Sequence, residues 1–205
     1  MNASTRHESF WSWQLYACLR EMAERDRNAV LMTLEHADAV ETGRHYPAEG
    51  LTFAGNRWRA FYHCHEDGSA HDENEHGHFH IYTDIGDQQW AHVAGLSIDN
   101  CGQPLQWFTV NRWVTDGPWL EREQLQQHLR TCVADELEPL TGRWLFAMLQ
   151  LYQDELVELF HARDSRVQGG GEKKELEAIL EDRSMYTLAV RPIELQAMLE
   201  RYLLY

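Results

Sequence analysis

Six of the twelve histidines fall between positions 63 and 80: His63, His65, His71, His76, His78 and His80, with His92 following soon after. They are written as His63-Cys64-His65 and His76-Gly77-His78-Phe79-His80. Alternate residues of a strand point to one face, so His63 and His65 share a face, and so do His76, His78 and His80. Setting Tyr62 and Cys64 against Phe79 and Ile81 on the buried side, as apolar pattern normally fixes register, puts His63 opposite His78 and His65 opposite His76. Cross-strand neighbours lie about 5 Å apart, so four or five imidazoles gather in one patch. Neutral imidazole is the commonest protein ligand for divalent transition metals, and such a set suits Zn, Fe, Mn, Ni or Cu. The expected ligands are His63, His65, His78 and His80, with His76 and His92 in reserve. Glu66, Asp72, Glu73 and Glu75 offer nearby carboxylates, and Glu75 is the candidate for acid/base work. An ion with three protein ligands and one open position activates water or dioxygen.

Two functions follow. One is a metal-dependent enzyme with a mononuclear or dinuclear site, acting on a small-molecule substrate. The other is a non-catalytic binding or accessory protein whose histidines and aromatics (eight Trp and eight Tyr) recognise a partner or small ligand without metal. A metal store or sensor would bind the ion without turnover. A second candidate site is Asn111-Arg112, because a guanidinium gives bidentate geometry to a substrate carboxylate or amide; pairing of Arg112 with an acidic neighbour is the competing expectation. Cys64 alternates away from the histidines, so it is expected on the apolar face and inert. His71 is expected in solvent, and His7, His36, His45, His128 and His161 on surfaces or helices.

The elements that must position these residues follow from periodicity. Apolar spacings of three and four predict helix from Glu8 to Val40, with Glu24–Asn28 as a turn or an exposed helical face, ended by Gly43 and Pro47. Strands are expected at Arg57–Glu66, His76–Thr83, Trp90–Asp99 and Leu105–Asn111, joined by connections too short for helical crossovers. They form a four-stranded antiparallel meander. Helices are expected at Glu121–Leu137, Leu140–Ala162 and Lys173–Asp182, a strand at Met185–Val190, and a last helix with Pro192 in its first turn. Gly169-Gly170-Gly171 makes 164–174 read as a flexible linker. The class is α+β: one domain over 1–205, helical at 1–45, sheet at 55–112 and helical again at 119–205.

The chain has 205 residues, 43% hydrophobic and 25% charged, ordinary values for a protein with a real core. Its net charge of −15, with scattered basic residues, argues against nucleic acid and anionic membranes. No long apolar run and no apolar leader are present, so a cytoplasmic protein is expected. The four cysteines form no CxxC pair. The Leu-rich segment 199–205 could supply a homodimer interface.

The motifs Glu75-His-Gly-His-Phe-His80 and Asn111-Arg-Trp-Val-Thr115 resemble those of an uncharacterised bacterial family, a domain of unknown function, over roughly residues 45 to 120. The resemblance implies no established activity and carries no catalytic role. Cupins also use an HxH pair on a strand, but they place a Glu a few residues on and a third His far away; here Glu66 directly follows His65. Carbonic anhydrases built on sheets are longer and richer in strands.

Overall fold

The computed structural model describes residues 3–65, 73–133, 138–168 and 173–203. The histidine-bearing strands sit in the middle of one antiparallel sheet. Its strands are β1 (Tyr46–Phe53), β2 (Trp58–Cys64), β3 (Glu75–Gly86), β4 (Gln89–Asp99), β5 (Pro104–Val110) and β6 (Thr187–Pro192), ordered as numbered. The class is α+β as expected, but the sheet has six strands rather than four. Sequence expects Gly43 and Pro47 only to end a helix and gives no strand before β2. The chain instead bulges between Tyr46 and Leu51 and keeps pairing with β2, Tyr46 opposite Tyr62 and Leu51 opposite Ala60. β6 falls close to the expected strand. Pro192 closes it rather than opening a helix, which an edge strand tolerates because its missing N–H faces no partner.

Helices α1 (Ala3–Ala23), α2 (Ala29–Thr33), α4 (Arg122–Thr131), α5 (Leu140–Leu151), α6 (Gln153–Gln168), α7 (Lys173–Leu180) and α8 (Leu195–Leu203) surround the sheet, with the single turn α3 (Arg112–Thr115) after β5. The N-terminal helical stretch stops at Thr33 rather than Val40. It is broken by a turn in which Asp26 adopts φ 51° and Asn28 caps α2 through its side chain. The expected helix over 140–162 divides at Tyr152. Residues 164–168 of the expected linker are helical; 169–172 lie outside the described residues, as do 134–137, 204–205 and 66–72 with Glu66, His71 and Asp72.

α5 is apolar nearly all round and buried between the sheet and α1, as a helix without a polar face must be. Trp144 meets Phe79 from β3 at 6.0 Å between ring centroids, and Phe146 meets Trp11 of α1 at 5.1 Å. Trp58, Ala60, Tyr62, Phe79, Ile81, Leu96 and Trp107 fill that side of the sheet, all within 1% of full burial. Aligning the apolar residues this way sends His63, His78 and His80 to the opposite face.

Candidate metal centre

β2 and β3 run antiparallel with Tyr62 opposite Phe79 and His63 opposite His78, the register that apolar alignment demands. His63, His78 and His80 are 8%, 0% and 4% exposed; His65, just past the end of β2, is half-buried. The ring nitrogens converge. His78 Nε2 lies 2.6 Å from His63 Nε2, 3.4 Å from His65 Nε2 and 3.1 Å from His80 Nε2. The ligand atoms of His63, His65 and His78 all lie within 4.8 Å of one another. Nitrogens bound at 2.0–2.1 Å to a tetrahedral ion stand about 3.3 Å apart, so two of these spacings already suit an ion and the third needs to open by less than 1 Å.

Protonation sharpens this. Glu75 Oε1 lies 2.6 Å from His78 Nδ1, with both side chains fully covered. A carboxylate there holds the proton on Nδ1 and leaves a single lone pair on Nε2. Three other imidazole nitrogens are aimed at that one lone pair. One N–H can use it well; a cation between the rings would use all of them. Burial also pulls the His65 pKa below its ordinary value, keeping that ring in the neutral form a metal requires.

Two bulges determine which histidines take part. Glu75 pairs with Asp99 and Gly77 with Ile98, leaving His76 as an extra residue that reverses the alternation. Glu75 therefore reaches the His78 side. His76 departs from the expected patch: it is exposed, and its Nδ1 lies 2.6 Å from the Tyr62 hydroxyl of the core side. In β4, Ala94 pairs with Ile81 and His92 with Tyr82, so the extra residue Val93 turns His92 onto the histidine face. There its Nε2 lies 2.9 Å from Nδ1 of His80, against the ring edge away from the cluster. Glu73 is exposed.

His45, expected on a surface or a helix, stacks edge-on against His63 at 5.2 Å and tilts against Phe61 at 5.2 Å. Nothing in its local sequence signals this, because the contact depends on the pairing of the chain around Tyr46 with the end of β2. Asn111 and Arg112 are used elsewhere. Asn111 caps α3 through Oδ1 and donates from Nδ2 to the Ile179 carbonyl at 2.8 Å. Arg112 gives Nε and Nη2 to Glu181 and Nη2 to Glu177, so both residues fasten α7 to the end of β5.

A sequence profile for a domain of unknown function, DUF6969, matches residues 11–193. The chain belongs to that family. The match extends well beyond the stretch 45–120 that carries the two motifs. Searches of curated proteins and of solved structures found no match. Within this DUF6969 chain, no helix among the described residues is long and apolar enough to cross a membrane.

Gly95 makes the floor of the cluster possible. It pairs with His80 on one side and Phe108 on the other. A Cβ there would stand 2.0 Å from the tip of the Phe108 ring, which lies over Gly95 and packs edge-on against His78 at 5.0 Å. Gly95→Ala is expected to cost about 1–3 kcal/mol in urea unfolding, because the ring must leave its place. It also pushes that ring into His78, so metal affinity should fall with stability. An unchanged midpoint would mean that the ring moves freely, and that the floor is not rigid.

Proposed function

We propose that this protein is a metal-dependent enzyme that binds one divalent transition ion through His63, His65 and His78, with His80 as a fourth nitrogen at the same centre. The observation that carries the reading is the convergence of three imidazole Nε2 atoms on the buried His78 Nε2, at 2.6, 3.1 and 3.4 Å, while Glu75 occupies Nδ1. An all-imidazole donor set fits Zn, Fe, Mn, Ni or Cu. The ion supplies Lewis acidity and lowers the pKa of a bound water or substrate group.

The chain's own residues then divide the work. Glu75 orients His78 and raises its basicity as a ligand, a positioning role in place of the acid/base role expected from sequence. His92 does the same for His80 through Nδ1. Phe108 and Phe61 line the same face and help keep bulk water from the imidazoles, which strengthens their hold on charge.

The test is elemental analysis of untagged protein purified without chelators, beside His63→Ala/His78→Ala. Near-stoichiometric metal in the wild type and none in a folded double variant is the expected result. A wild type that is metal-free and takes up none of Zn, Fe, Mn, Ni or Cu on reloading overturns the reading.

A further inference from the structure

Arg59 is a cation held in place on the histidine side of the sheet. On β2 it follows the histidine side of the sheet: His63 pairs with His78, Phe61 with His80 and Arg59 with Tyr82. Its stem lies across Gly50, where a Cβ would stand 2.7 Å from Arg59 Cγ and Cδ; Gly50 also has φ +80°, so the notch needs glycine twice over. The guanidinium stacks on Trp90 at 4.3 Å and on Phe61 at 5.1 Å. Its Nε is buried without a hydrogen-bond partner, and among the described residues it forms no ion pair, whereas its neighbour Arg57 meets Asp84 at 3.7 Å. This is unusual in a chain with 33 acidic against 18 basic side chains. A buried donor left unpaired is unfavourable, and an arriving partner is one explanation for keeping it.

We propose that Arg59 anchors a carboxylate of the substrate whose reacting group meets the metal centre. The inference rests on the metal-dependent reading above. Two residues along a strand and one strand across place Arg59 and His80 about 8 Å apart at their Cα atoms, so the substrate is an acid whose anchoring carboxylate is separated from the reacting group by a few bonds. A carboxylate fits better than a phosphate. The neighbouring Arg57 is engaged by Asp84, so Arg59 acts as one guanidinium, and one guanidinium matches one planar carboxylate. Trp90 and Phe61 fix the plane of the guanidinium, so little side-chain entropy is lost when the acid binds.

The test uses the full chain loaded with Co(II), metal content being measured in every sample. Acetate, succinate, glutarate and adipate are titrated while the visible cobalt bands are followed. In the wild type at least one of the dicarboxylates should bind tenfold or more tighter than acetate. Arg59→Gln should erase that preference and leave acetate affinity and metal content unchanged; Arg59→Lys should restore part of it. A purely structural arginine would lower the thermal midpoint without altering the preference. Equal preference in wild type and Arg59→Gln, both metal-loaded, overturns the carboxylate anchor alone. A wild type that takes up no cobalt overturns the metal centre and the anchor together.

Discussion

Replacing His78 with alanine is expected to lower Zn affinity by roughly a few hundredfold, since one nitrogen of four carries about a quarter of the 10–16 kcal/mol typical of protein-bound zinc. The choice of His78 comes from geometry. It is the ring against which His63, His65 and His80 are all placed, and it has no exposed surface. Glu75→Gln should cost less, about 10–100-fold, because glutamine can still accept from Nδ1 but removes the charge that makes His78 a stronger ligand. His76→Ala should leave affinity unchanged, because the bulge turns that ring toward Tyr62. Competition against a chromophoric chelator at fixed pH ranks the three variants. The centre fails as drawn if His78→Ala binds as tightly as the wild type, or if His76→Ala weakens binding as much as His78→Ala.

That ranking separates what the residues announce from what only the fold decides. The pairing of His63 with His78 was legible because Tyr62 and Phe79 can share a buried face in only one register. The central strands were legible because their connections are too short to hold a helix. Glu75, His76 and His92 were not. An extra residue in a strand reverses every side chain beyond it, and neither Glu75-His76-Gly77 nor His92-Val93-Ala94 carries a local mark of a bulge. β1 was hidden by Pro47, which reads with Gly43 as a helix stop yet lies in a bulge, and the Gly50 of that bulge receives Arg59. The proximity of His45 was lost with β1, and the place of β6 beside β5 is a contact between distant parts of the chain. Arg112 shows the reverse case: its type and setting suited a ligand, and Glu177 of α7 and Glu181 just past its end claim it.

Asp164→Ala is expected to destabilise the protein by about 3–5 kcal/mol, the cost of leaving a buried charge without its partner. Asp164 and Arg163 are each 3% exposed. Arg163 donates from Nε to Asp164 Oδ1 at 2.7 Å and from Nη2 to the Leu120 carbonyl at 2.6 Å, and its guanidinium lies 4.0 Å over Trp119. Burial pulls the Arg163 pKa down from its ordinary value, the sign of a cation held against its solvation preference. The other carboxylate oxygen accepts from the Arg122 backbone N–H at 2.9 Å, satisfying the first amide of α4. Alanine thus removes three things: the countercharge, a helix-end acceptor and the tie between α4 and α6. Asp164→Asn keeps an acceptor for one donor and should lose roughly half as much. Arg163→Met/Asp164→Leu, which removes both charges, should lose less than Asp164→Ala alone. Urea unfolding at neutral pH with unchanged m measures all three. If the double variant proved the least stable, the ion pair would be stabilising in its own right, and the burial penalty on Arg163 would not govern this end of α6.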